Sequence, residues 1–87
     1  MLIEKVVLIS AEKTKQGYTA EVELETADGF GFCGPVDFTF FFEGDDYKWT
    51  YDLGFLKTFV NTHDDKTFVH GVFTDPEFIA DVREHAA

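Results

Sequence analysis

Apolar and polar residues alternate strictly from Tyr18 to Thr26, with Tyr18, Ala20, Val22 and Leu24 on one side and Thr19, Glu21, Glu23 and Glu25 on the other. A period of two over this length marks a half-buried strand with one wet face. Upstream, Val6 to Ile9 is apolar on both faces, which predicts a strand covered on both sides or sitting centrally. The polar stretch ending in Gln16-Gly17 joins the two as a hairpin. Asp28-Gly29 marks a turn, and the glycines and proline of FGFCGP interrupt the next segment. Alternation resumes at Val36: Val36, Phe38, Phe40 and Phe42 are predicted to face the core, and Asp37, Thr39, Phe41 and Glu43 to face away.

Beyond the polar turn EGDD, the segment YKWTY reads as a short return strand or the approach to a helix. In DLGFLKTFVNTHD, Leu53, Leu56 and Val60 recur at i, i+3 and i+7 with Phe55 and Phe59 alongside, a helical stripe. Gly54 weakens it by roughly 1 kcal/mol relative to alanine. KTFVHGVF reads as a strand, with His70 half-buried on the face of Phe68 and Val72. The last element is a helix toward the C-terminus, with Phe78, Ile79 and Val82 inward. Its start is either a capping box of Thr74 and Glu77 with Phe73 stapled to Phe78, or Asp75 as cap with Pro76 at the first helical position. The pattern therefore predicts one α+β domain over residues 1–87: an antiparallel sheet of four or five strands with two helices packed on one face. The chain order is β-β-β-(β)-α-β-α.

Composition sharpens this picture. Of 87 residues, 45% are hydrophobic, including eleven Phe, three Tyr and one Trp, enough to build a core despite a formal charge of −10. The charge is uneven: through Thr19 three lysines outnumber Glu4 and Glu12, whereas the remainder carries four bases against fifteen acids. Such a field repels nucleic acid and anionic lipid and favours a protein partner with a basic surface. No apolar run reaches the roughly 20 residues of a membrane span. Glu4 and Lys5 interrupt the opening apolar stretch, so it is not expected to be a targeting segment. A cytoplasmic location is the expectation. Cys33 is the only cysteine, which rules out an intramolecular disulfide.

Candidate chemistry is thin. Gly29, Gly31 and Gly34 spell G-x-G-x-x-G, but Pro35 and a β-patterned run stand where a phosphate-binding helix would have to begin, so the glycines read as a turn or bulge. His63 and Asp65, with His70 or His85, have the residue types of a two-histidine, one-carboxylate metal set, yet they scatter over different predicted elements, and no metal or cofactor is expected. Cys33 lacks a basic neighbour to lower its thiol pKa and reads as a small buried residue. The acid pairs Asp45-Asp46 and Asp64-Asp65 sit in polar turns, where the shielding that general acid catalysis needs is absent. No serine follows Ser10, and no hydrolase motif is present.

Two surfaces remain. Phe41, Glu43, Asp45, Asp46, Tyr47, Trp49 and Tyr51 combine acids with aromatic rings of the kind that anchor interfaces, the alternative being that the rings cap an end of the core. Glu21, Glu23 and Glu25 form a ladder spaced about 6.6 Å apart, which becomes one acidic face if it adjoins Asp37 and the EGDD turn. The expected function is a small non-enzymatic module that binds a protein partner through these residues and self-associates as a homodimer. The alternatives are a nucleic-acid mimic that blocks a DNA- or RNA-binding protein, and a small metal- or carboxylate-dependent enzyme.

Overall fold

The computed structural model describes residues 2–87. The apolar run becomes β1 (Ile3–Lys13), the two alternating runs fall in β2 (Gly17–Thr26) and β3 (Gly31–Glu43), and β4 (Asp46–Asp52) follows. All pair antiparallel with their sequence neighbours, giving the order β1-β2-β3-β4. A six-residue 3₁₀ segment (Gly54–Phe59), helix α1 (His63–Phe73) and helix α2 (Pro76–Ala86) complete the chain. The architecture is α+β: a four-strand antiparallel sheet with two helices against one face.

Alternation decides which face the helices cover. Ala20, Val22 and Leu24 of β2 and Val36 and Phe38 of β3 are fully or almost fully buried, and they meet Leu56, Val69, Phe73, Ile79 and Val82 from the opposite layer. Phe38 sits edge-on to Phe73, with ring centroids 5.8 Å apart. Gly34 is where the 3₁₀ segment presses on β3, since a Cβ there would lie 2.7 Å from the Phe55 ring and 2.8 Å from Leu56. Gly17 is equally constrained: an added Cβ would overlap the Phe38 carbonyl oxygen. The EGDD turn is a two-residue loop, Gly44-Asp45, between the paired Glu43 and Asp46, and Gly44 supplies the positive φ that such loops require.

Several expectations are corrected. β1 is an edge strand, not a central one, and its apolar run is accommodated by register shifts after Ile3 and after Leu8. Ile9, at the second shift, is 48% exposed. Bulges of this kind twist an edge away from further pairing. Phe42 shares the inward side of β3 but lies beyond the helix layer and is 73% exposed. The helix expected from Asp52 is only a 3₁₀ segment, because Gly54 enters it at φ +58 and the chain is turned back within six residues to seat Leu56 in the core. The strand expected in KTFVHGVF is helix α1. Asp65, Val69 and Phe73 recur at i, i+4 and i+8 on its buried side, and His70 is exposed. Thr62 caps this helix, its hydroxyl accepting from the Asp65 amide at 3.1 Å. In α2 the cap is Asp75, whose carboxylate accepts from the Glu77 amide at 2.9 Å with Pro76 in the first turn. Thr74 instead closes α1, donating to the His70 carbonyl at 2.6 Å. Phe73 still meets Phe78 across the joint, at 5.3 Å between centroids.

Candidate acidic and aromatic surface

The register divides the predicted contact residues between two faces. Directly opposed residues share a side, so Phe38–Tyr51, Phe40–Trp49 and Phe42–Tyr47 face the helices, while Asp37–Asp52, Thr39–Thr50, Phe41–Lys48 and Glu43–Asp46 face outward. Tyr47, Trp49 and Tyr51 therefore do share a face, and it is the inner one. Trp49 spends its indole N–H on the Phe73 carbonyl at 2.8 Å, tying β4 to the end of α1. The Tyr51 hydroxyl lies 2.7 Å from Nδ1 of His70, and its ring packs on Phe73. Partial burial raises the Tyr51 pKa above the ordinary 10.0, which keeps the hydroxyl protonated. Tyr47 alone of the three keeps a largely open ring, with Phe40 and Phe42 about it and the Arg83 guanidinium 5.8 Å over its face.

On the outer side the carboxylates do come together. That face carries Glu12 from β1, Glu21, Glu23 and Glu25 from β2, Asp37 and Glu43 from β3, and Asp46 and Asp52 from β4. Among the described residues Lys5 and Lys48 are its only basic ones, and Lys48 is already paired with Glu43 at 3.5 Å. None of these residues is buried, and no helix crosses them. Asp37 and Asp52 stand directly opposite each other, and Asp37 accepts from the Thr19 hydroxyl at 2.7 Å. Phe41, 40% exposed, is the large ring on this face, with Val7 as the apolar position that pairing places on the β1 side. Asp45 occupies the loop at its end.

Cys33 belongs to this face and is exposed rather than buried as the sequence suggested. Its thiol lies 3.6 Å from the Glu23 carboxylate. Local desolvation, the hydrogen bond to Glu23 and the charges of Glu23 and Glu21 all push its pKa above the ordinary 9.0, so the surroundings suppress the thiolate.

The remaining candidates separate. Asp65, expected in a solvated turn, is 1% exposed and accepts from the Ile3 amide at 2.8 Å. Asp64 is exposed in the first turn of α1. Among the described residues no group of three or more His, Cys, Asp or Glu is placed to hold a metal ion. Gly29 supplies a turn at φ +91 while Gly31 and Gly34 lie within β3, so the glycine triplet makes no phosphate loop. No helix among the described residues is long and apolar enough to cross a membrane. No family model, curated protein or solved structure matches the chain.

Proposed function

We propose that the chain is a non-enzymatic binding module that offers the open outer face of its sheet to a protein partner with a basic surface. The carrying observation is that face itself: eight carboxylates from four strands, none buried, with two lysines among them. A charge pattern of this kind steers a basic partner and fixes its orientation, and Phe41 supplies an apolar anchor within it. Tyr47, with Phe42 around the edge of β4, extends the contact at that end. A second copy of the chain suits this face poorly, since carboxylates would meet carboxylates. Self-association is therefore assigned to an open sheet edge, that of β4, which pairs with β3 without the register shifts that blunt β1.

The test is capture from nuclease-treated lysate by the wild-type chain, by Glu21→Gln/Glu23→Gln/Glu25→Gln and by Phe41→Ala, with molar mass measured by light scattering. A protein retained by the wild type and lost from both variants is the expected result. Identical captures by all three, or none by any, would refute the reading. The even spacing of the Glu21, Glu23 and Glu25 ladder favours one second reading, a mimic of a nucleic-acid backbone. In that case the captured protein would be released by competing DNA or RNA, which would leave a partner with no nucleic-acid groove in place.

A further inference from the structure

Away from the acidic face, on the helix side of the molecule, a cleft of about 490 Å³ opens between the end of β4, the 3₁₀ segment and α1. Its apolar floor comes from Leu53, Val60 and Val69 with the ring of Tyr51. Along its wall run His63, Lys66 and His70, at i, i+3 and i+7 of α1 and hence on one stripe of that helix, while Lys57 faces them from the 3₁₀ segment. The chain has only seven Lys and Arg and three His, against seventeen acids. Two of those lysines and two of those histidines converge here, and no Asp or Glu among the described residues lines the cleft.

The two lysines lack internal partners. The single ion pair among the described residues is Lys48–Glu43, so neither Lys57 nor Lys66 has a carboxylate within 4 Å. Lys57 also borders a groove with Asp37 and Asp52, yet it pairs with neither. His70 is held by its 2.7 Å contact with Tyr51 through Nδ1, which orients the ring and leaves Nε2 as its second polar atom. A volume in the range of small-molecule sites, about 300–1,000 Å³, combined with an apolar floor and a few convergent polar groups, is the usual form of a ligand pocket.

We propose that this cleft binds a small organic anion, an apolar body with one acidic headgroup such as a medium-chain carboxylate. The apolar portion covers Leu53 and Val60, and the headgroup lies between Lys57 and Lys66 with His70 beside it. The site adjoins the outer acidic face at Lys57 but uses none of its carboxylates, and each can fail without the other. Octanoate is the probe, with octanamide and octylammonium as neutral and cationic counterparts, followed by amide chemical shifts of the labelled full chain. Octanoate is expected to move resonances in residues 53–60 and 63–70 and to bind about tenfold more tightly than either counterpart, which corresponds to about 1.4 kcal/mol. Lys57→Gln/Lys66→Gln should abolish that preference. Thr67→Trp, an exposed position at the cleft wall, should weaken octanoate by a similar factor with the spectrum otherwise unchanged. Equal binding of all three probes, shifts confined to other residues, or variants that bind octanoate as the wild type does would each overturn the proposal.

Discussion

Asp65 ties the first described strand to the first α-helix. Its carboxylate is buried and accepts the backbone N–H of Ile3 across 62 positions of sequence, while its own amide is capped by Thr62. Removing the acceptor leaves the Ile3 donor without its buried partner. Asp65→Ala is therefore expected to destabilise the chain by about 1–3 kcal/mol, with Asp65→Asn costing less because its side-chain carbonyl can still accept. Urea unfolding of the wild type and both variants measures the difference, and variants as stable as the wild type would show that the tether carries no weight. Cys33 gives a second reading at this scale. Because desolvation and the Glu23 and Glu21 carboxylates raise its pKa, the reactive thiolate becomes abundant only at a pH above the ordinary 9.0. The pH–rate profile of alkylation by iodoacetamide should accordingly have its midpoint above that value, and Glu23→Gln should move it down. A midpoint indifferent to Glu23 would contradict the assigned cause.

At the level of elements, Asp37 of β3 and Asp52 of β4 are opposed directly, a pairing that like charges disfavour by a few tenths to about 1 kcal/mol. Asp37→Asn keeps an oxygen for the Thr19 hydroxyl and removes the repulsion, so it should stabilise the chain by that amount, seen as a higher urea midpoint at unchanged slope. A lower midpoint would mean that the negative charge is needed for the bond to Thr19. The pattern of β2 and β3 makes their pairing and inner face legible in the sequence, because one side of each is apolar and a slip of one residue would expose it. The acidic ladder comes from the same alternation, although its continuity with Asp37 and Asp52 depends on register, which alternation alone does not set. The second half is less legible. Thr67, Phe68 and Val69 carry strand-like propensities, yet the segment forms α1, where Val69 and Phe73 close the core over Phe38. The signal that betrays the helix is Thr62 with Asp65 three residues on, a start pattern as clear as the one at Asp75-Pro76. Trp49 and Tyr51 resemble interface rings in the sequence because hydropathy does not reveal that their polar atoms meet the Phe73 carbonyl and His70.

Over the whole molecule, a charge of −10 is confined to a body of 41 × 24 × 21 Å with most of its carboxylates outside any ion pair. Neighbouring carboxylates on the outer face stand closer than the Debye length, which is about 10 Å at 0.1 M salt and 3 Å at 1 M. Their mutual repulsion favours the expanded chain, where the same charges lie farther apart. Screening should therefore stabilise the fold: raising sodium chloride from about 10 mM to about 500 mM is expected to raise the melting temperature, by about 4–8 °C for each kcal/mol of repulsion removed. The same screening weakens attraction to a basic partner, so binding through the acidic face should fall over the range in which stability rises. The Glu21→Gln/Glu23→Gln/Glu25→Gln variant separates the two effects, since it should start with a higher melting temperature at low salt and gain less from added salt. A melting temperature that fell with salt, or a variant whose salt response matched the wild type, would place the dominant charges somewhere other than the outer face of the sheet.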